Sequence, residues 1–249
     1  TAITESAITD LHAGNDQGEY RRTSRDTLDP LTVASPGCRI YRQSKRLLGC
    51  LEPMMTEATV QRRDELLLAA ERLFSERGYE ATSVRDIADA LAIKAGSLYS
   101  HIATKEDLLW EVLGRAADRY FEAVQPIVES DLVTVEKLRR LIAAHVRVIT
   151  QSASAAAVYT TEWRHLTEPR RREFAARRDA YERIVRGLVH DAIREGSFGD
   201  VDEKFATLLI LSSINWVYQW YRPDGPMTPE EIARRITDLL FNGLRRAGG

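Results

Sequence analysis

Apolar residues recur with helical spacing along nearly all of the chain after residue 54, and no stretch alternates with the period of a strand. Leu66, Ala70, Leu73 and Phe74 share one face of a helix predicted over roughly 60–77. Gly78 follows where a helix end favours a residue tolerant of positive φ. Ser83, with Asp86 three positions on, marks the next start as a capping box in which Asp replaces the usual Glu, and Ile87, Ala88 and Leu91 supply its buried side. A short helix over roughly 95–102 follows. Thr104 then offers an N-cap to a long helix that carries Leu108, Leu109, Val112 and Leu113 and ends at about 126–129. Further helices are predicted at roughly 134–151, 154–163, 168–195, 202–221 and 228–246. Gly196 closes one of them, and Thr228-Pro-Glu-Glu reads as N-cap, N1 proline and acidic first turn of the last.

This pattern is an all-α fold. It divides into residues 1–55, which lack a sustained period and read as a disordered extension, a three-helix domain over 56–105, and a helical bundle over 106–249. The pair Met54-Met55 offers an alternative start just ahead of the first clear helix. The other reading of the upstream part is an arm that tracks DNA through Arg39, Arg42, Lys45 and Arg46.

Composition changes the picture little. At 249 residues, 44% hydrophobic and 29% charged, the chain can bury a sizeable core. Its longest apolar run, Phe205–Ile214, is short of a membrane span and holds Thr and two Ser, so no membrane is expected as a partner. Cys38 and Cys50 are the only cysteines, which argues against a disulfide scaffold and for a cytoplasmic setting. No Gly-rich phosphate loop, catalytic cysteine pattern or metal-ligand spacing points to an enzyme, a metal or a cofactor. The net charge of −2 is uninformative, and residues 60–105 carry seven basic and seven acidic side chains. Any nucleic-acid surface there must come from arrangement, not from bulk charge.

The arrangement is a helix-turn-helix over 84–102. A recognition helix needs small residues that approach base edges and donors that reach phosphates. Ala95, Gly96, Ser97 and Ser100 meet the first need. Tyr99, His101 and Lys105 meet the second, with Lys94 as an added cation and Thr82 and Ser83 available to a phosphate across the groove. Each has a plainer reading: Tyr99 as core, His101 as a structural or merely exposed residue, Ser83 as a helix cap. The joint spacing carries the functional one.

Phe74-Ser-Glu-Arg-Gly-Tyr-Glu-Ala-Thr-Ser-Val-Arg-Asp-Ile-Ala, then Gly96-Ser-Leu-Tyr-Ser-His-Ile and Lys105-Glu-Asp-Leu, resemble the N-terminal domain of TetR-type transcriptional repressors. The resemblance implies a homodimer that binds a palindromic double-stranded operator and releases it on binding a small-molecule effector. Activation instead of repression, an unrelated apolar drug-like effector, and a helical adaptor that binds only protein are the alternatives. Three positions depart from the family pattern: Ala92 stands for the usual turn Gly, Lys94 for a capping Ser or Thr, and Ile102 for Phe.

An effector site is expected among the aromatics of the second half, with Tyr159, Trp163, Arg164, Phe174, Arg178, Tyr181, Trp216 and Trp220 as candidates. Residues 164–186 carry eight arginines against four acids, which reads either as a solvated face or as a mouth for an anionic effector. Trp216-Val-Tyr-Gln-Trp-Tyr-Arg-Pro-Asp-Gly-Pro-Met-Thr-Pro-Glu-Glu-Ile is similar to the C-terminal region of TetR-type repressors of fatty-acid and steroid catabolism, which adds acyl-CoA thioesters as an effector class. Phe205, Leu209, Ser212 and Trp216 form one stripe, read first as core or dimer seam.

Overall fold

The computed structural model describes residues 57–98 and 102–244, and over these it is all-α. Helix α1, Glu57–Arg77, buries Leu66, Leu67, Ala69, Ala70, Leu73 and Phe74. It ends at Gly78, whose φ of +82° lets its N–H reach the Phe74 carbonyl. The Ser83–Asp86 capping box forms as the spacing predicts and opens α2, Val84–Ala90. Helix α3, Ala95–Leu98, drives Leu98 into the core.

The turn between α2 and α3 is a Schellman motif. The Ile93 N–H bonds the Ala88 carbonyl and the Ala92 N–H bonds the Asp89 carbonyl, both at 3.0 Å. Ala92 therefore sits at φ 53°, in the left-handed region.

Thr104 and Asp107 form a second capping box at the head of α4, Lys105–Val128. Helix α5, Thr134–Gln151, packs along α4, and the chain bends by 103° into α6, Ala153–Thr161, and a 3₁₀ turn over Glu162–His165. Helix α7, Arg170–Arg194, crosses α4 and α5. The helix predicted over 202–221 is two: α8, Glu203–Asn215, and α9, Val217–Trp220. The hydroxyls of Ser212 and Ser213 both donate to the Leu209 carbonyl, a back-bonding that bends helices, just before the break at Trp216. Helix α10, Pro229–Leu244, packs on α5 and α8.

One hydrophobic core runs without interruption from Leu66 to Phe241. Among the described residues no single helix is long and apolar enough to cross a membrane.

Candidate DNA interface and ligand cavity

The first candidate site is the outer face of the helix-turn-helix. Lys94, Gly96 and Ser97 are exposed side by side while Leu98 and Ile102 anchor the segment from within. A Cβ added to Gly96 would meet nothing within 4 Å, so packing does not demand a glycine there, and the face stays open to close approach. The Ala95 side chain, and Tyr99, Ser100 and His101 entirely, lie outside the described residues, as does everything before residue 57.

Thr82 and Lys105 depart from the expectation. Thr82 is fully buried, and its hydroxyl donates to the carbonyls of Gly78 at 2.8 Å and Leu73 at 3.3 Å. It closes the turn after α1 and cannot offer that hydroxyl to a phosphate. Lys105 folds back over the Tyr79 ring, 4.1 Å from its centroid, and donates to the Tyr79 and Thr82 carbonyls at 2.9 Å. It is first a staple between α4 and this turn, and one ammonium hydrogen is left for a phosphate. Ser83 is exposed, but its hydroxyl is engaged with Asp86 at 2.5 Å, whose carboxyl that bond holds below its ordinary pKa.

The second site is a cavity of about 180 Å³ among α4, α5, α6, α7 and α8. Tyr120, Tyr159, Tyr181 and Trp163 form its aromatic walls, and Arg178, Asp179 and Glu182 stand along α7. The four rings pack in a chain: Tyr120 lies 5.0 Å from Tyr159 and 6.0 Å from Tyr181 by centroid, and Phe174 ties Tyr159 to Trp163 from behind. Burial holds the Tyr120, Tyr159 and Tyr181 hydroxyls above the ordinary phenol range, so all three stay protonated donors.

His145 closes the inner side. Its Nε2 lies 3.0 Å from the Asn215 Oδ1, an acceptor, so Nε2 carries the proton and Nδ1 accepts from the Tyr181 hydroxyl at 2.8 Å. Burial pushes its pKa down to about 4, and the imidazole is neutral. Neither nitrogen is left for chemistry.

Of the residues expected to bind an effector, Tyr159, Trp163, Arg178 and Tyr181 meet at this cavity. Phe174 does not line it: it is completely buried behind the wall. Arg164 flanks Trp163 from the solvent side, 5.2 Å from its ring. Trp216 and Trp220 are elsewhere, on the surface beyond the end of α8, where Trp216 is 60% exposed. Tyr120, His145, Leu211 and Asn215 are cavity residues that the sequence did not single out.

The arginine surplus of 164–186 is mostly consumed in ion pairs. Arg170 binds Asp107 at 2.6 Å, Arg171 and Arg172 bind Glu168, Arg177 binds Asp118, and Arg186 binds Glu203. Among the described residues Arg164, Arg178 and Arg183 have no carboxylate partner. Arg178 instead lies over the rings of Trp163, at 4.9 Å, and Tyr159, at 5.8 Å. The largest influence on its acidity is desolvation, which lowers its pKa. Asp179 and Glu182 act on it from a distance without an ion-pair contact, so a desolvated guanidinium beside an aromatic cavity still offers its hydrogens to an anionic or strongly polarised ligand.

The reading face lies in one matched segment and the cavity, apart from Tyr120, in another. Residues 66–112 match the family described as bacterial regulatory proteins, tetR family, and residues 131–244 match the tetracyclin repressor-like C-terminal domain. The HTH-type transcriptional repressor KstR2 of Rhodococcus jostii (strain RHA1) is 36% identical over 186 residues, which cover 74% of this chain and 91% of that protein. The chain belongs to the TetR family. TetR-family structures agree throughout. The ketosteroid transcriptional regulator KstR2 of Mycobacterium tuberculosis superposes with a TM-score of 0.71 at 32% identity, over 75% of this chain and 96% of that one. AibR, solved with isovaleryl coenzyme A and operator DNA, superposes with a TM-score of 0.68 at 30% identity, over 72% and 98%. As a TetR-family member this chain is a DNA-binding transcriptional regulator with an N-terminal helix-turn-helix and a helical C-terminal domain.

Proposed function

We propose that this regulator is a homodimeric repressor that leaves a palindromic operator when an acyl-CoA thioester enters the cavity. The observation that carries the effector class is Arg178, a desolvated guanidinium with no ion-pair contact, lying over Trp163 and Tyr159 at the cavity wall, with Arg164 beside the same indole. Aromatic walls suit an acyl chain, and the two cations suit the polar remainder of a coenzyme A ester. At about 180 Å³ the cavity is smaller than the ~300–1,000 Å³ usual for drug-sized ligands. It takes a short or branched acyl group as it stands, and a four-ring nucleus requires the helices to part.

Residues 56–105 then read DNA through Lys94, Ala95, Gly96, Ser97, Tyr99, Ser100 and His101, with the remaining hydrogen of Lys105 on a phosphate, and 106–249 sense and dimerise. The dimer is supported by exposed apolar residues: Phe205, Leu208 and Leu209 on α8, Trp216 just after it, and Leu239 on α10. With His145 engaged at both nitrogens, the cavity reads as a sensor without catalysis, acting in the cytoplasm where its DNA is.

A gel shift on DNA from upstream of its own gene tests the reading, with isovaleryl-CoA and a steroid-CoA thioester as separate arms. A retarded complex released by the short acyl ester supports it. Release by the steroid ester alone overturns the size argument, and no retarded complex overturns the operator reading.

A further inference from the structure

The 3₁₀ turn Glu162–His165 belongs to both sites at once. Trp163 walls the cavity, while the residues on either side hold the helix-turn-helix. The Glu162 carboxylate accepts the Tyr79 N–H at 2.8 Å, directly after the end of α1. His165 stacks on the Tyr79 ring with centroids 5.5 Å apart, and its nitrogens stand 3.5 Å from carboxylate oxygens of Glu80 and Glu162. Tyr79 is in turn the ring beneath Lys105, whose ammonium bridges the Tyr79 and Thr82 carbonyls at the base of α2. Four consecutive residues thus connect a cavity wall to the loop that seats the DNA-reading helices.

Other links join the two regions: Ser152 to Glu71, Arg63 to Glu111, and Arg115 to Asp64. None of these six residues lines the cavity.

The indole of Trp163 is also poised to respond. Its Nε1 is buried and has no hydrogen-bond partner, although its ring is clasped between Arg164 and Arg178. A buried N–H without an acceptor is costly, and any rearrangement that supplies one is favoured by the whole of that cost. A turn that carries an unsatisfied donor is one whose position a ligand acceptor can bias.

We propose that the turn Glu162–His165 couples effector to DNA, with the Trp163 N–H taking the acyl carbonyl oxygen as acceptor while Glu162 and His165 carry the displacement to the Tyr79–Thr82 loop. This rests on the effector reading above and adds which atom is sensed and which residues transmit. The carbonyl is the feature sensed because the Trp163 N–H is a cavity-wall donor without an acceptor of its own, whereas the Tyr181 hydroxyl already donates to His145. Glu162 and His165 are positioning residues, since neither lines the cavity.

The test uses the full chain, DNA from upstream of its gene, isovaleryl-CoA, and the thioether analogue S-(3-methylbutyl)-CoA, which lacks the carbonyl. Calorimetry on the wild type is expected to show the thioester binding about tenfold tighter than the thioether, the size of one hydrogen bond. Trp163→Phe keeps the ring and loses the donor, so its preference falls to within twofold. Glu162→Ala is expected to bind isovaleryl-CoA within twofold of wild type. Its ratio of DNA affinities without and with the probe falls from at least fivefold to under twofold. Glu162→Gln, which keeps an acceptor for the Tyr79 N–H, restores most of that ratio.

A Trp163→Phe chain that keeps the thioester preference overturns the sensing step. A Glu162→Ala chain with the full ratio overturns the transmission step; general damage to the fold lowers both affinities and leaves the ratio standing, which also counts against the proposal. A wild type that binds DNA but prefers neither analogue overturns the carbonyl assignment alone. A wild type that discriminates the analogues but binds no DNA overturns the regulator reading instead.

Discussion

Ala92 holds the turn of the helix-turn-helix at φ 53°, with its N–H and that of Ile93 closing the Schellman bonds to Asp89 and Ala88. For an L-residue with a Cβ this left-handed conformation costs about 1–2 kcal/mol. Glycine removes that cost but gives the unfolded chain more freedom, an opposing effect of roughly 0.4–1 kcal/mol. Ala92→Gly is therefore expected to stabilise the protein by about 0.5–1 kcal/mol, or roughly 1–4 °C in Tm for a chain of this size. Ala92 is exposed, so no lost packing enters the balance. Ala92→Val places a β-branched side chain in the same conformation and is expected to destabilise by about 1 kcal/mol or more. Thermal and urea melts followed by circular dichroism read both variants against wild type. A lower Tm for the glycine variant, or a valine variant as stable as wild type, would refute the strain argument.

Thr82→Val deletes a buried hydroxyl that satisfies the Gly78 and Leu73 carbonyls and is expected to cost about 1–3 kcal/mol in urea melts. Its DNA affinity, measured where the variant is fully folded, stays that of wild type, and an equal loss on operator and unrelated DNA would show that Thr82 reaches a phosphate after all. His145 has a folded pKa of about 4 against 6.5 when free, so only the unfolded chain takes up this proton between those values, and stability falls as pH drops through that window. Wild type is expected to lose about 2 kcal/mol more than His145→Gln between pH 7 and pH 5. Equal losses in paired denaturant melts would place the imidazole in solvent.

The helices and their caps were legible because their signals are local. Ser83 with Asp86 forms the reciprocal bonds their spacing predicts, and Thr104 and Thr228 cap their helices as expected, each with a return bond from Asp107 or Glu231 in addition. The break at Trp216 was not, since no Pro or Gly marks it and only two serine hydroxyls turned onto the Leu209 carbonyl precede it. Cavity residues were harder for a different reason. Tyr120, His145 and Asn215 come from three helices, and each sits at an ordinary buried or half-buried position in its own periodicity. Periodicity shows which face turns inward but not where inward faces fail to meet. Trp216 and Trp220 drew attention as large aromatics, and tertiary packing turned both outward. Lys105 had the residue type and position for a phosphate contact, and a sequence cannot show that two nearby carbonyls already claim its ammonium.

The uninterrupted core has a practical meaning for anyone who wishes to rewire such regulators. A chimera cut at the start of α4 would splice a foreign reading head onto this sensor while severing Glu71 from Ser152 and Tyr79 from Glu162. Graft boundaries that travel well must follow these bonds and not the linear order of the chain. The transplant unit is residues 57–128 together with the segment 152–170, two pieces of sequence that form one piece of machinery.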